Sequence, residues 1–341
     1  MIYKNVEILN FEDVKTVDGR AGVLLQRIPE NVRLKLRPES QSVYKKAACG
    51  EIRFVSDFKP VKITLASYEG DSKVMLYFGD FQAGEYIITK EPIQINIEIP
   101  SPNFISRKDF DDSSYPFSVT VFRLVISGNE IHLIDIEGET IRPPKSNEVP
   151  KLKYLAYGTS ITQGINATSP DLTFVKQVAW RLGTDVINLG ANGSAYCEKE
   201  IADYIAARKD WDFASFCVSA NMLNQGVSAE EFFRVAEYFI CSVAKSNPTK
   251  PIICISLFTT FSDLGYIWPD RKPKSTAKEY RNILKRIVDS SKLSNLYYVD
   301  GSQLLKSHHG LCQDILHPSN NGMIEIGENL SNFIKPLLKK L

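Results

Sequence analysis

The chain has 341 residues, 43% of them apolar, enough for one large domain or two ordinary ones with filled cores. Its 41 Lys and Arg nearly balance 40 Asp and Glu, a net charge of +1, which argues against a broad surface for nucleic acid or an anionic membrane. No apolar run is long enough to span a bilayer, the first residues lack the basic and apolar regions of a signal peptide, and the six cysteines form no Cys-x-x-Cys pair, so a soluble, reduced, cytoplasmic protein is the expectation.

The first part of the chain, to about Ile141, reads as short strands. "RLKLRP", "EIRFVS", "VKITLASYE", "KVMLYFGDF", "IQINIEI", "SVTVFRLVISG" and "EIHLIDIEG" often alternate apolar with polar residues. Turn-forming stretches, "EGDS", "QAGE" and "SGNE", separate them, and no long helix interrupts. That rhythm predicts an all-β sandwich or jelly roll over residues 1–148. "RPPKSNEVP", Arg142 to Pro150, is the linker candidate.

From residue 149 the rhythm changes. Strand candidates "KYLAYG", "DVINLG", "FASFCVS", "PIICISLF" and "LYYVDG" alternate with helical stretches at about Thr173–Leu182, Glu198–Ala207, Ala229–Asn247, Thr276–Ser291 and Asn321–Lys340. Alternation of this kind predicts a parallel sheet covered on both faces, a three-layer α/β/α domain over 149–341. Cys217 and Cys254 fall inside its apolar runs and are expected to be buried. Ligands of such sheets collect at the carboxyl ends of the strands. That rule selects the loops Gly158–Gly164, Gly190–Ser194, Ser219–Asn224 and Thr259–Lys274, and the segment after Asp300.

The first of these loops, "GTSITQG", fits neither the Walker pattern, the Rossmann glycine pattern nor the G-x-S-x-G elbow. It places Ser160 at a strand-to-helix transition, with the hydroxyls of Thr159 and Thr162 expected to hydrogen-bond the turn. A serine-rich turn alone gives no chemistry; a nucleophile needs a base. Of four histidines, His132 reads as a strand residue on a polar face and His308 and His309 as solvated. His317, in "DILHPSNNGM", follows Asp314 by three residues, close enough for the carboxylate to reach Nδ1, while Pro318 holds the residue before it extended. His308, His309, Cys312, Asp314 and His317 could be metal ligands, but their spacing matches no standard zinc set, and neither metal nor cofactor is expected. "NLGANGSA" offers backbone N–H groups around Gly193, and "VSANML" the amide of Asn221. Singly, these are a turn glycine and a strand-end cap. Together, Ser, Gly, Asn and His fall in that order at strand ends or just beyond the last one.

In that set the chain resembles the SGNH, or GDSL-type, hydrolase family, and its β-rich front resembles the subgroup with an N-terminal jelly roll. "GTSITQG", "NLGANGSA", "SANM" and "DILHP" are similar to the family's blocks, with Thr159 in place of the usual aspartate, Ser219 in place of a glycine and Met222 in place of a second aspartate. The resemblance implies Ser160 as nucleophile, His317 as base and Asp314 as its orienting carboxylate. It implies an oxyanion hole of Ser160 and Gly193 N–H groups and the Asn221 amide. Ester hydrolysis follows, on a small-molecule or carbohydrate ester, with acyl transfer on the same residues as the alternative. A carbohydrate-binding protein with a decayed hydrolase domain is the third reading. Against it, Trp180, Trp211 and Trp268 all lie outside the front part. The loop "TTFSDLGYIWPDRKPK" mixes apolar and charged residues between prolines, more a rim than a lipid lid, so short acyl groups and a stacking role for Trp268 are expected.

Overall fold

The structure, a computed structural model, describes residues 1–57, 59–98, 114–267 and 273–339. Two antiparallel sheets form the front part. The first contains β1 (Ile2–Tyr3), β2 (Val6–Leu9), β5 (Lys46–Phe54), β7 (Ser72–Phe78), β8 (Phe81–Ile88) and β10 (Phe122–Glu130), in the order β1-β2-β5-β10-β7-β8. The second contains β3 (Asp13–Lys15), β4 (Val23–Gln26), β6 (Val61–Ala66), β9 (Ile93–Ile97) and β11 (His132–Glu137), in the order β3-β4-β11-β6-β9. Alternate residues of both, among them Ile8, Leu25, Ile52, Phe54, Ile63 and Leu124, meet in one buried core. The result is the expected β-sandwich.

Several local readings differ. "RLKLRP" is not a strand: it bridges two short helices, α1 (Glu30–Arg33) and α2 (Pro38–Val43). Pro38 pre-sets the helical φ of the first turn, and Arg33 turns back onto Glu30 at 2.7 Å. "QAGE" lies inside β8 and "SGNE" at the end of β10, where a register shift between Ile126 and Ser127 absorbs Gly128. His132 is not on a polar face. It is fully buried with its ring edge-on to Tyr68, and burial pushes its pKa down to about 4, so it stays neutral. The proline-rich segment is no free tether. Arg142 pairs with Val55 through backbone bonds, and its guanidinium grips Glu148 with two bonds at 2.7 and 2.8 Å.

The second part is the expected parallel sheet. β12 (Lys153–Gly158), β13 (Asp185–Gly190), β14 (Phe213–Cys217), β15 (Ile252–Ile255) and β16 (Leu296–Val299) run in the order β13-β12-β14-β15-β16. Their residues are almost all buried because helices cover both faces. On one face lie α5 (Lys199–Ala207), α7 (Ala229–Ser246) and α8 (Ala277–Ser291); on the other lie α4 (Phe174–Leu182) and α10 (Asn320–Leu338). Helix α7 shows why. Phe232, Ala236, Phe239, Ile240 and Val243 recur at helical spacing on one buried face, and Phe239 stacks on Tyr157 of β12 with centroids 4.5 Å apart. Each such aromatic contributes about 1.5–3 kcal/mol by burial. The sheet order reverses on either side of β12, so the cleft above the end of β12 is where such a sheet binds ligands. Short helices α3 (Ser160–Gln163), α6 (Ala220–Asn224) and α9 (Gly301–Leu304) start in the loops at these strand ends. Cys217 and Cys254 are buried, as expected. Among the described residues, no helix is long and apolar enough to cross a membrane.

The two parts meet across a buried ionic cluster. Glu51 of β5 is fully buried between Arg53 (2.8 Å), Arg123 of β10 (3.0 Å) and Lys176 of α4. Arg53 reaches across to Asp185 of β13 with two bonds, at 2.9 and 2.5 Å.

Candidate active site

Ser160 is the first residue of α3, immediately above the end of β12, and is 5% exposed. The helix lasts one turn because Gly164 takes a left-handed φ of 100° and its N–H closes onto Ser160 O. The flanking threonines do not hydrogen-bond the turn. The hydroxyls of Thr159 and Thr162 are buried with no hydrogen-bond partner among the described residues.

Ser160 Oγ lies 2.8 Å from His317 Nε2, and His317 Nδ1 lies 2.7 Å from Asp314 Oδ2. An ionised carboxylate can only accept, so Nδ1 carries the proton and Nε2 is left to accept from the serine hydroxyl. Burial of Asp314 opposes its charge. Hydrogen bonds from the His317 ring and from the N–H groups of His317 and Leu316 outweigh that, holding the carboxyl below its usual range. The loop that carries the pair is tightly held. Asp314 Oδ1 accepts both N–H groups at 3.0 Å, Cys312 N–H donates to His317 O, and Phe261 N–H to Ile315 O. Ile315 between them has φ 51°, an unfavourable conformation for a β-branched residue, which the surrounding bonds impose.

The two other expected loops stand beside Ser160. β13 pairs in register with β12, Gly158 opposite Gly190, so the turn Ala191–Ala195 begins at the level of the serine helix. Gly190 admits no side chain: a Cβ there would sit 2.2 Å from Gln163 N. Gly193, with φ 68°, is exposed at the tip of the turn, and its N–H donates to no group among the described residues. Asn221 lies in the first turn of α6, at the end of β14, and its Oδ1 accepts from Ala195 N–H at 3.1 Å. That bond fixes the amide so that its NH₂ side faces away from the turn backbone. Sequence reasoning missed Gln163 and Asn188. Gln163, one turn after Ser160, accepts from Asn192 N–H at 2.8 Å; Asn188 donates to Thr162 O and accepts from Gly190 N–H, both at 2.8 Å. Only the spacing of Gln163 from Ser160 gave any signal.

Beside the site a cavity of about 10 Å³ is walled by Ile161, Ala220, Leu257, Phe258, Thr260 and Leu316. Its wall thus includes the immediate neighbours of Ser160, Asn221 and His317. In the rim loop, Thr260 caps a 3₁₀ turn over Phe261–Leu264 and Asp263 pairs twice with Arg281, at 2.6 and 2.9 Å. Trp268 lies outside the described residues. Among those described, no three His, Cys, Asp or Glu side chains gather as metal ligands would.

A sheet with a switch point at β12, and a Ser–His–Asp hydrogen-bond chain above it, is the architecture of an α/β acyl hydrolase. The chain belongs to the GDSL-like lipase/acylhydrolase family, whose sequence profile matches residues 152–335. No curated protein sequence matches it. Among solved structures it is similar to a salicylyl-acyltransferase, SsfX3, from a tetracycline biosynthetic pathway, with 15% identity over 98% of this chain and 95% of that chain and a TM-score of 0.80. A putative GDSL-like lipase from Bacteroides ovatus shares 18% identity over 98% and 96%, with a TM-score of 0.69. An acetyl xylan esterase, Est2A, from Butyrivibrio proteoclasticus shares 10% over 100% and 97%, with a TM-score of 0.60. At these identities the likeness is one of fold. It extends over the front sandwich as well as the parallel sheet, and it upholds the resemblance read from the sequence blocks.

Proposed function

We propose that the protein is a serine esterase that removes a short, acetyl-like acyl group from a small-molecule or carbohydrate ester. The observation that carries this reading is the hydrogen-bond chain Ser160–His317–Asp314, at 2.8 and 2.7 Å, at the strand-end switch point. Ser160 Oγ attacks the ester carbonyl while its proton passes to His317 Nε2. The carbonyl π pair moves onto oxygen, where the N–H groups of Ser160 and Gly193 and the Asn221 amide receive it. The oxyanion collapses, the C–O bond to the alcohol breaks, and His317 returns its proton to the leaving oxygen. Water, deprotonated by the same imidazole, then hydrolyses the acyl-enzyme. Asp314 stabilises the imidazolium throughout and takes no proton. We divide the chain into a β-sandwich unit, 1–148, and a catalytic unit, 149–341.

The short-acyl reading rests on the loop Thr259–Lys274, whose mixed apolar and charged sequence suits a rim better than a lipid lid. Acyl transfer is the second reading. The likeness to an acyltransferase favours it, since an alcohol or amine acceptor can displace water at the same acyl-enzyme. The test is a panel of acetylated sugars and p-nitrophenyl esters from acetate to palmitate, with and without added acceptors. Wild type is expected to favour acetate, and Ser160→Ala to lose about 10⁶ in kcat and all labelling by a fluorophosphonate. Equal labelling of Ser160→Ala would move the nucleophile elsewhere, and a rise in kcat/KM with chain length would refute the short-acyl reading. Acylated acceptor in place of free acid would favour transfer.

A further inference from the structure

β13 is an edge of the parallel sheet, and an edge strand turns alternate carbonyls away from its only neighbour. Buried carbonyls of that kind need donors. Here a side chain from the front sandwich supplies them. Arg27, just after β4, is fully buried. Its Nη1 donates to Asn188 O at 3.0 Å and to Gly190 O at 2.9 Å, two successive outward carbonyls of β13. Its Nε donates to Lys46 O at 2.7 Å, and its Nη2 to Val43 O at 2.9 Å. Asn10 adds a second donor to Asn188 O at 3.2 Å. Arg27 thus occupies the place of a next strand and knits β5 and the end of α2 to the edge of the catalytic sheet.

Two features separate this from ordinary packing. First, no carboxylate among the described residues pairs with Arg27; its partners are neutral carbonyls and the face of Tyr44, 5.1 Å away. A guanidinium buried without a counter-ion is costly, and an apolar side chain of similar volume would fill the space more cheaply. Second, the bond falls on Gly190, the residue where β13 becomes the turn that presents Gly193. That turn is held from within by Ala191 N–H to Gly158 O at 2.7 Å, by Gln163 and by Asn221. Arg27 holds its root from outside.

An oxyanion donor is effective only if it is fixed before charge develops, since reorganising it during the reaction would raise the barrier. We propose that Arg27 is a positioning residue for the reaction: by clamping Gly190 O from the sandwich, it fixes the turn that aims the Gly193 N–H. This rests on the esterase reading above.

The experiment compares full-length wild type, Arg27→Met and Arg27→Lys in three measurements. The first is hydrogen exchange of the segment 189–195. The second is kcat and KM on an aryl acetate. The third is the affinity of a boronic acid, whose tetrahedral adduct with serine uses the oxyanion donors. With Arg27→Met, exchange is expected to rise about tenfold or more in 189–195 but not in β14 or α10. Loosening a donor should cost less than deleting one, so kcat should fall about 10–10²-fold with KM within about twofold. Boronate affinity should fall by the same factor as kcat/KM. Arg27→Lys keeps the charge and one of the bonds, and should recover part of each loss. Unchanged kcat, a loss confined to KM, or exchange raised evenly through the chain would each overturn the proposal. If Arg27→Met does not fold, Arg27→Lys carries the same three readouts. If wild type hydrolyses no ester, the esterase reading fails and the role in catalysis fails with it, while exchange at 189–195 still decides whether the clamp exists.

Discussion

His317 and Asp314 make unequal demands on the site. In the proposed mechanism the imidazole takes a proton and gives it back, so His317→Ala should cost nearly as much as Ser160→Ala, about 10⁶ in kcat. The carboxylate only orients and stabilises, so Asp314→Asn should cost less, about 10⁴. Part of that loss is structural in origin. Asp314 Oδ1 accepts two backbone N–H groups, which an asparagine oxygen can still do, but the amide cannot also offer Nδ1 an acceptor of equal charge. Steady-state kinetics of the two variants on one ester checks the order, and Asp314→Asn at or below His317→Ala would contradict it. These residues were legible because each motif is local: "GTSITQG" and "DILHP" carry their geometry within a few positions. Gln163 and Asn188 were not, since their bonds depend on how α3 docks against β13.

Between α3 and β13 there is no slack. Gly190 approaches the backbone of Thr162 and Gln163 so closely that a methyl group would meet Gln163 N at 2.2 Å and the Thr162 carbonyl carbon at 2.6 Å. Neither contact is with a flexible side chain, so Gly190→Ala must push the serine-bearing helix off the strand. The expected cost is about 1–3 kcal/mol or more of stability together with a fall in kcat. Thermal unfolding and the rate of fluorophosphonate labelling measure the two. A melting temperature within about 2 °C of wild type and an unchanged labelling rate would show that the helix moves freely. At this scale sequence periodicity located every strand and long helix of the parallel sheet, because burial on both faces leaves unbroken apolar runs. It did less well in the sandwich. "LKL" alternates like a strand, yet Pro29 and Pro38 open helices on either side of it, and "QAGE" continues β8 because Gly84 pairs across to Leu76.

For the molecule as a whole, the buried cluster around Glu51 sets the response to acid. Burial alone would raise the carboxyl's pKa; Arg123, Arg53 and Lys176 outweigh it and hold it well below the ordinary value. A folded-state pKa below the unfolded value, about 4.3, means that the contribution to stability is complete above about pH 4.3 and is lost as pH falls through the folded pKa. Glu51→Gln removes that contribution, takes from Lys176 its carboxylate and from Arg123 its two-bond partner, and leaves Arg53 on Asp185, so it should destabilise by about 3–5 kcal/mol at pH 7 and flatten the acid side of the profile. Urea midpoints at neutral pH and on either side of about pH 4 test this; parallel profiles for wild type and variant would refute it. None of this was visible in the sequence, where Glu51 and Arg53 read as polar positions of a strand. The partner of Arg53, Asp185, lies 132 residues further along the chain.

That separation has a further consequence for how the chain is made. At about 5–20 residues per second, a ribosome needs about 7–26 s to travel from Arg53 to Asp185. Within that interval the last strand of the sandwich, β11, is made, and from then until β13 follows Arg53 lacks Asp185 and Arg27 lacks the carbonyls of Asn188 and Gly190, so the back of the sandwich must stay hydrated. That surface can be buried only when β13 emerges, and it is the one that grips the turn beside the serine.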